Sequence, residues 1–197
     1  MISLQEQLCR AFPELQEVIN EEWRRKALFV WQEVYNRSQW KDKEAAAVPF
    51  SPSVPSVTLL EHTEAVIQNA LQMAHTICSV HHNPDLINFD RLIIVCVLHD
   101  VDKLLAIEPL DSGQCRYSDI ARIYQHGFYS AYYAEKAELP AEITAALISH
   151  TVQSRMQPST LEGMILLYAD IADADLCKFI NGQSPSFLKT IGKTCGQ

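Results

Sequence analysis

Seven consecutive apolar residues, from Leu92 to Leu98, run directly into the polar pair His99-Asp100. A run that is apolar on every side must be buried, either as a strand or as a core helix. Its β-branched residues favour a strand by propensity alone. The neighbouring segments have helical periodicity and no partner strand is apparent, so we predict a helix. This helix would carry the pair to its interior end, where an unpaired carboxylate is costly.

Apolar residues at three- and four-residue steps predict helices over most of the remaining chain. These helical segments lie within 1–45, from 59 to about 77, at about 125–138, at 141–150 and from about 160 to 176. The last is predicted to open with a capping box of Ser159 and Glu162. The predicted fold class is therefore all-α, a helical bundle with an N-terminal helical appendage.

A proline-rich segment about a quarter of the way along the chain separates two helical regions. Residues 48–58 contain three prolines and cannot continue a helix, so they are predicted to form a linker or an ordered extended crossing. A segment that drapes over a pocket is an equal alternative. The predicted organisation is an N-terminal helical appendage at 1–47, a Pro/Ser-rich linker at 48–58, a helical domain at 59–182 and a C-terminal tail at 183–197. The appendage is interpreted as a packing element, with a lid or a dimerisation element as the alternative.

Composition restricts the classes of partner. The 197-residue chain has a formal net charge of −8 and no basic run longer than Arg24-Arg25-Lys26, so nucleic-acid binding is not expected as its main activity. No apolar run is long enough for a membrane span, and the first residues lack a signal-peptide core. Six single cysteines without a C-x-x-C pair are typical of reduced thiols. The sequence predicts a cytoplasmic protein, and a homodimer is compatible with it.

Four of the seven histidines lie against apolar sequence at the ends of predicted helices. His62 opens one helix, His99 and His150 each end one, and His126 begins another. Asp170 lies inside an otherwise apolar helical segment, where a carboxylate is costly unless it is paired or bound to metal. Any one of these histidines is more simply interpreted as a helix cap. Together with the aspartate after His99, they are the materials of a metal site in a helical bundle.

The order His, His-Asp, His, His, Asp resembles the HD superfamily of metal-dependent phosphohydrolases. The matching pieces lie at 61–66, 98–103, 125–127, 148–151 and 168–170, within about 59–180. The spacing of the last two histidines is also similar to that of bacterial HD-type hydrolases that split symmetrical dinucleoside polyphosphates. This chain departs from that group at Asp102, where a small residue is usual, and it lacks the group's downstream Pro/Arg element. The resemblance therefore implies an HD-type metal domain at 59–182, without that substrate.

The resemblance also implies a binuclear centre. One ion would be held by the first histidine, the HD pair and the final aspartate, and the other by the two remaining histidines, with the HD aspartate shared. Carried over, the ligands are His62, His99, Asp100 and Asp170 for one ion, and His126, His150 and Asp100 for the other. Such a nitrogen and oxygen set favours iron or manganese over zinc. Asp173, one helical turn after Asp170, competes with it for the ligand role.

The implied activity is hydrolysis of a phosphoester or phosphoanhydride of a small molecule by a hydroxide that bridges the two ions. A nucleotide is the favoured substrate class. Asp100 and Lys103 are the predicted catalytic residues, and Lys103 and Arg155 the predicted substrate-binding residues. Lys103 is equally well interpreted as a cation at a helix C-terminus. Arg122 is a weaker phosphate candidate. Asp102 is interpreted as a surface charge, with orientation of a ligating histidine as the alternative.

Two other function classes remain open at this stage. One is an HD-type di-iron oxygenase of a small organic substrate, because a similar ligand set serves O₂ activation in some proteins of this fold. The other is a regulatory module that binds a metal or a nucleotide without catalysis. The complete ligand set argues against the second class, since an interaction module has no need of all six side chains.

Overall fold

The computed structural model describes residues 2–187, and this part of the chain is mainly helical. The first helices are α1 (Leu4–Ala11) and α2 (Glu21–Arg37), with short 3₁₀ turns at Pro13–Gln16 and Ala45–Ala47. The middle of the chain forms α3 (Leu59–Val80), α4 (Phe89–Leu98) and α5 (Lys103–Ala106). The remainder forms α6 (Asp119–Ile123), α7 (Phe128–Lys136), α8 (Ala141–Ser149) and α9 (Leu161–Ile180).

Two antiparallel hairpins correct the all-α prediction. Strand β1 (Pro49–Ser51) pairs with β2 (Val54–Thr58), and β3 (Ile107–Pro109) pairs with β4 (Cys115–Tyr117). The first hairpin lies in the segment predicted as a linker, where the prolines exclude a helix but allow short edge strands. A two-stranded hairpin is marginally stable alone. Each hairpin therefore depends on packing against the helices.

Helix α4 lies at the centre of the bundle, which confirms the helical interpretation of its apolar run. Every residue from Leu92 to Leu98 is buried, and α2, α3, α8 and α9 all pack against this helix. Neighbours on every side explain why no face of α4 is polar. Each fully buried aliphatic side chain contributes about 1.5–3 kcal/mol to folding. The His-Asp pair that follows is therefore anchored by a helix that is packed on all sides.

The N-terminal helices share one core with the rest of the bundle. Leu8, Phe12 and Trp31 are fully buried in the same apolar cluster as residues of α3 and α4. The carboxylate of Asp90, in the first turn of α4, accepts hydrogen bonds from the backbone N–H groups of residues 19 and 20 at 3.0 and 2.8 Å. The region that precedes the hairpin thus packs directly on the helix that leads to His99.

A threonine determines where α9 begins. The Thr160 hydroxyl accepts a hydrogen bond from the N–H of Gly163 at 3.1 Å, so the predicted capping box of Ser159 and Glu162 is wrong. The Glu162 carboxylate instead accepts a bond from the backbone N–H of Asn88 at 2.7 Å. This contact holds the first turn of α9 against the start of α4.

Within residues 2–187, no helix combines the length and the apolarity that crossing a membrane requires. The five cysteines in this range are unpaired. Cys195 and residues 188–197 of the predicted tail lie outside the described residues.

Trp31 ties α2 to the end of α4 that precedes the His-Asp pair. Its ring N–H donates to the carbonyl of Val97 at 3.0 Å, in the last turn, where intrahelical partners run out. Trp31→Phe keeps an aromatic ring but leaves this buried carbonyl unpaired, so we expect the free energy of unfolding to fall by about 1–3 kcal/mol. Urea denaturation measures the change. Trp23→Phe, at a half-buried position of α2, is the control, and equal losses in both variants would contradict a special role for the bond.

Candidate metal centre

The structure brings together all six side chains predicted as metal ligands. They come from α3, the end of α4, the turn before α7, the end of α8 and the middle of α9. Their nitrogen and oxygen atoms form two groups, and within each group the ligand atoms lie within 4.8 Å of one another. The first group contains His62, His99, Asp100 and Asp170, and the second contains Asp100, His126 and His150. Such groups can hold a metal ion, and Asp100 belongs to both.

Asp100 presents one carboxylate oxygen to each group. Its Oδ2 lies 3.1 Å from Nε2 of His62 and 3.3 Å from Nε2 of His99. Its Oδ1 lies 2.8 Å from Nε2 of His126 and 3.9 Å from Nε2 of His150. The side chain is 1% exposed. The two groups therefore share a buried carboxylate that faces both at once.

The packing of α3 against α9 completes the first group. His62 lies in the first turn of α3, which begins at a capping box of Thr58 and Glu61. Its Nε2 lies 3.2 Å from Oδ1 of Asp170 in α9, and Nε2 of His99 lies 3.8 Å from the same oxygen. The capping box fixes where α3 begins and therefore which way His62 points. A shift of one residue would turn this side chain by about 100°, because adjacent helical residues point about 100° apart.

Two of the imidazoles are oriented by backbone carbonyls. The Nδ1 of His99 lies 2.7 Å from the carbonyl of Cys96, and the Nδ1 of His150 lies 2.7 Å from the carbonyl of Leu147. A carbonyl only accepts, so each Nδ1 carries the proton and donates it. The lone pair then lies on Nε2, which points into the cluster. This is the tautomer that a metal ligand needs.

The other two imidazoles are oriented by carboxylates. Nδ1 of His62 lies 2.6 Å from Oδ2 of Asp173, and Nδ1 of His126 lies 3.1 Å from Oδ1 of Asp102. Carboxylates in this position hold the ring and increase the basicity of the opposite nitrogen. All four histidines thus turn Nε2 toward the cluster.

Several buried atoms of the cluster lack a hydrogen-bond partner. They are both oxygens of Asp100 and Nε2 of His150. Nitrogen atoms lie within ion-pair distance of Asp100, but none of them makes a hydrogen bond of ordinary geometry to it. Buried polar atoms are rarely left unsatisfied, because each costs about 1–3 kcal/mol. Coordination of a cation would satisfy all three atoms, so these residues fit a bound metal ion.

Gly127 allows the turn that carries His126 to approach α8. Its φ is +87°, and a Cβ at this position would lie 2.4 Å from the carbonyl oxygen of Leu147 and 3.0 Å from the ring of His150. Its N–H donates to Oδ2 of Asp102 at 2.6 Å. Any side chain would be excluded both by space and by backbone conformation. The glycine is therefore necessary for the second group to close.

The carboxylates change the protonation of the cluster histidines. Burial disfavours the charged form of His62, but the nearby carboxylates of Asp100, Asp170 and Asp173 outweigh it and raise its pKa to about 10. Burial also opposes charging of His126, yet Asp102 and Asp100 raise its pKa to about 10. Burial alone would raise the pKa of Asp100, but neighbouring imidazoles and Lys103 hold it well below its usual value. Without metal, His62 and His126 are therefore imidazolium groups beside carboxylates at neutral pH.

A cavity of about 380 Å³ opens beside the cluster, and His126, Asp170 and Asp102 form part of its wall. Lys103 and Arg122 add positive charge to the lining. The aromatic residues of the lining are Phe50, Tyr117, Tyr124, Tyr129 and Phe187. Its size and its mixture of aromatic and charged groups are typical of a small-molecule site.

Phe50, from β1, connects the first hairpin to the site. Its ring centroid lies 4.3 Å from that of His62, and Nζ of Lys103 lies 4.1 Å from the centre of the Phe50 ring. The segment predicted as a linker or a drape thus supplies a wall of the cavity. Its aromatic face also supports the lysine.

The remaining predicted site residues lie in different places. Lys103 lies 2.5 Å from Oδ2 of Asp100 and lines the cavity. Arg155 is exposed, and it is not among the described residues that line this cavity, so its substrate-binding role stays a prediction. Arg122 lines the cavity and pairs with Asp119.

Two carboxylates that orient predicted ligands were given other roles as the preferred interpretation. Asp102 is 4% exposed, so its interpretation as a surface charge is wrong, and its position beside His126 agrees with the alternative, orientation of a histidine. Asp173 was considered only as a ligand in place of Asp170. Its spacing of one helical turn from Asp170 was the available signal. Phe50 had no such signal, because its neighbours in the site are far away along the chain.

Comparisons of the chain with family models, with curated proteins and with solved structures find no match. The assignment of the site therefore depends on its geometry and on the order of its residues.

Metal binding is expected to release protons. His62 and His126, each with a pKa of about 10 in the metal-free protein, are protonated near neutral pH, and each must lose its proton to become a ligand. Metal affinity should therefore rise as the pH is raised from about 7 to about 9. Calorimetric titration with Mn²⁺ in buffers of different ionisation enthalpy measures the protons released. His81→Ala, at an exposed position, should behave as wild type, and pH-independent affinity would contradict this protonation scheme.

Asp173→Asn tests the carboxylate that orients His62. The amide keeps the size of the side chain but removes the charge that makes Nε2 of His62 a better ligand, so we expect metal affinity to fall by about 10–100-fold. Competition with a chelator of known affinity measures the loss. Asp111→Asn, a change of the same kind at an exposed position far from the cluster in sequence, is the matched control. Equal affinities for wild type and Asp173→Asn would show that the contact is only structural.

Proposed function

We propose that the protein is an HD-type metal-dependent phosphohydrolase acting on a phosphoester or phosphoanhydride of a small molecule, with nucleotides as the first substrates to test. The observation that carries the proposal is the position of Asp100, with one oxygen facing each of two ligand groups. The order of the ligands along the chain, which resembles that of the HD superfamily, supports the same assignment.

In this proposal, His62, His99, Asp100 and Asp170 would hold one divalent ion, and Asp100, His126 and His150 would hold a second. Imidazole and carboxylate ligands without a thiolate favour iron or manganese. Bound in this way, the ions would supply Lewis acidity and lower the pKa of an attacking water. The protein's own contribution is to fix the ligands, through the backbone and carboxylate bonds at Nδ1, and to keep them buried.

Lys103 is the residue best placed to bind a phosphate oxygen. Its amino group lies between Asp100 and the cavity, above the ring of Phe50, and the side chain is 15% exposed. Bound cations would compete with Lys103 for the charge of Asp100, so the ammonium group would become available to an anion in the cavity. It would then stabilise negative charge on the transferred phosphoryl group.

The aromatic lining supports a substrate with a flat or apolar portion. Three tyrosines and two phenylalanines line the cavity: Tyr117, Tyr124, Tyr129, Phe50 and Phe187. A phosphate group directed to the cluster would leave the rest of a small molecule among these rings. A nucleoside or an aryl phosphate satisfies both requirements.

An HD-type oxygenase of a small organic substrate is the second candidate, and the same aromatic lining favours it. A di-iron centre would use the same ligands, with an organic substrate in the cavity. A purely regulatory module is less well supported, because the cavity lies directly against the ligands. The hydrolase is preferred because Lys103 provides positive charge beside the cluster, at the wall of the cavity.

The test is hydrolysis by protein purified without oxygen and loaded with Mn²⁺ or Fe²⁺. Nucleotides and nitrophenyl phosphate are offered, and phosphate release and metal content are measured. We expect Asp100→Asn to abolish both hydrolysis and tight metal binding. Lys103→Met should keep its metal but lose about 100-fold in kcat/KM, which corresponds to about 2.7 kcal/mol. Lys41→Met, at an exposed position, is the matched control.

Two outcomes would contradict the hydrolase. Hydrolysis that survives Asp100→Asn would place the chemistry elsewhere. Oxygen consumption by the iron-loaded protein with an organic substrate, without phosphate release from any phosphate ester, would establish the oxygenase instead.

A further inference from the structure

The solvent-facing side of α9 is apolar along its whole length. The exposed residues of this helix are Leu161, Met164, Tyr168, Ala172, Leu176, Phe179 and Ile180. Phe179 and Ile180 are 70% and 78% exposed, and Tyr168 is 56% exposed. A helix on the surface of a single folded chain normally turns polar residues to water. This set of residues is called the α9 stripe below.

Helix α3, which packs against α9 in the same bundle, has the ordinary pattern. Its exposed residues are Glu61, Glu64, Gln68, Asn69, Gln72, His75, Thr76, Ser79 and Val80. All but the last are polar or charged. Two neighbouring helices of one bundle thus differ in the face that they turn outward, and an apolar outward face is typical of an interaction surface.

Charge does not interrupt the stripe. The carboxylates of Asp170 and Asp173 point to His62, and Glu162 is 4% exposed. Asp175 is half-buried, and its two oxygens accept hydrogen bonds from the backbone N–H groups of residues 186 and 187. In a chain with a net charge of −8, a contact that set carboxylates of two copies against each other would be costly, and the α9 stripe avoids this cost.

The steps between successive residues of the α9 stripe follow the same order whether they are counted from its N-terminal or from its C-terminal end. From Leu161 to Phe179 the steps are three, four, four, four and three residues. Two antiparallel copies of α9 related by a two-fold axis would therefore set Leu161 against Phe179, Met164 against Leu176, and Tyr168 against Ala172. The last pair matches a large side chain with a small one. An isologous contact requires self-complementarity of this kind, whereas a different partner does not.

We infer that the α9 stripe is the interface of a homodimer in which two α9 helices pack antiparallel. The exposed side chains of the stripe amount to about 600 Å² per copy, so the pair would bury about 1,200 Å², at the lower end of stable specific interfaces. Antiparallel packing also sets the positive end of each helix dipole beside the negative end of the other. The inference is independent of the proposed chemistry.

The test uses sedimentation velocity on the full chain over a range of concentrations. Wild type should be a dimer. Leu161→Glu and Phe179→Lys each place two charges against apolar side chains, one in each half of the interface, so each should weaken dimerisation by at least about 100-fold. Both changes suit the helix dipole at their positions and should leave folding intact, which circular dichroism checks. Ile19→Glu, at a residue that is 87% exposed outside the stripe, is the matched control and should remain dimeric.

The double variant distinguishes a two-fold antiparallel pair from other associations. If residue 161 faces residue 179 of the second copy, Leu161→Glu combined with Phe179→Lys forms an ion pair at each end and should recover most of the dimer. A monomeric wild type at about 100 μM, which is well above the dissociation constant of an ordinary interface, would overturn the inference. A dimer that is unaffected by either single change, or a double variant no better than the singles, would overturn it as well.

Discussion

The buried carboxylate of Asp100 is the interaction on which the rest of the site depends. A negative charge that is 1% exposed costs several kcal/mol unless cations or donors surround it. Its two oxygens face imidazole nitrogens from α3, from the end of α4, from the turn before α7 and from the end of α8. Lys103 adds an ammonium group. Because Asp100 belongs to both groups of candidate ligands, it is also the residue that joins them. The negative charge of its carboxylate is surrounded by nitrogen atoms from both groups.

The ends of the central helices, rather than their middles, present most of the candidate ligands. His99 and His150 follow the last turns of α4 and α8, where their Nδ1 atoms bond to backbone carbonyls that the helix leaves free. The carboxylates of Asp102 and Asp173 serve the two histidines that have no such carbonyl. Burial of the apolar residues before each ligand therefore fixes both the position and the tautomer of the imidazole.

Some of the fold and much of the candidate site were predictable from local sequence. The apolar run before His99 required burial, and the helices that carry His62, His150 and Asp170 followed from their periodicity. The hairpins were missed because β1–β2 and β3–β4 are short pairs whose stability comes from packing on the helices. Asp102 was misinterpreted because charged residues as close together in sequence as Asp100, Asp102 and Lys103 are usual at a protein surface. Its burial depends on the turn that carries His126, where the N–H of Gly127 donates to its carboxylate.

The sequence by itself determined the types of ligand and their order, because costly polar residues stand out within apolar helical patterns. Only the tertiary structure decided which oxygen of Asp100 faces which group, how each imidazole is oriented, and that a hairpin phenylalanine and three tyrosines wall the cavity. The physical reason is that periodicity reports which face of a helix is buried, but not which distant side chains meet there. Contacts between elements depend on how helices cross, and no local pattern records that.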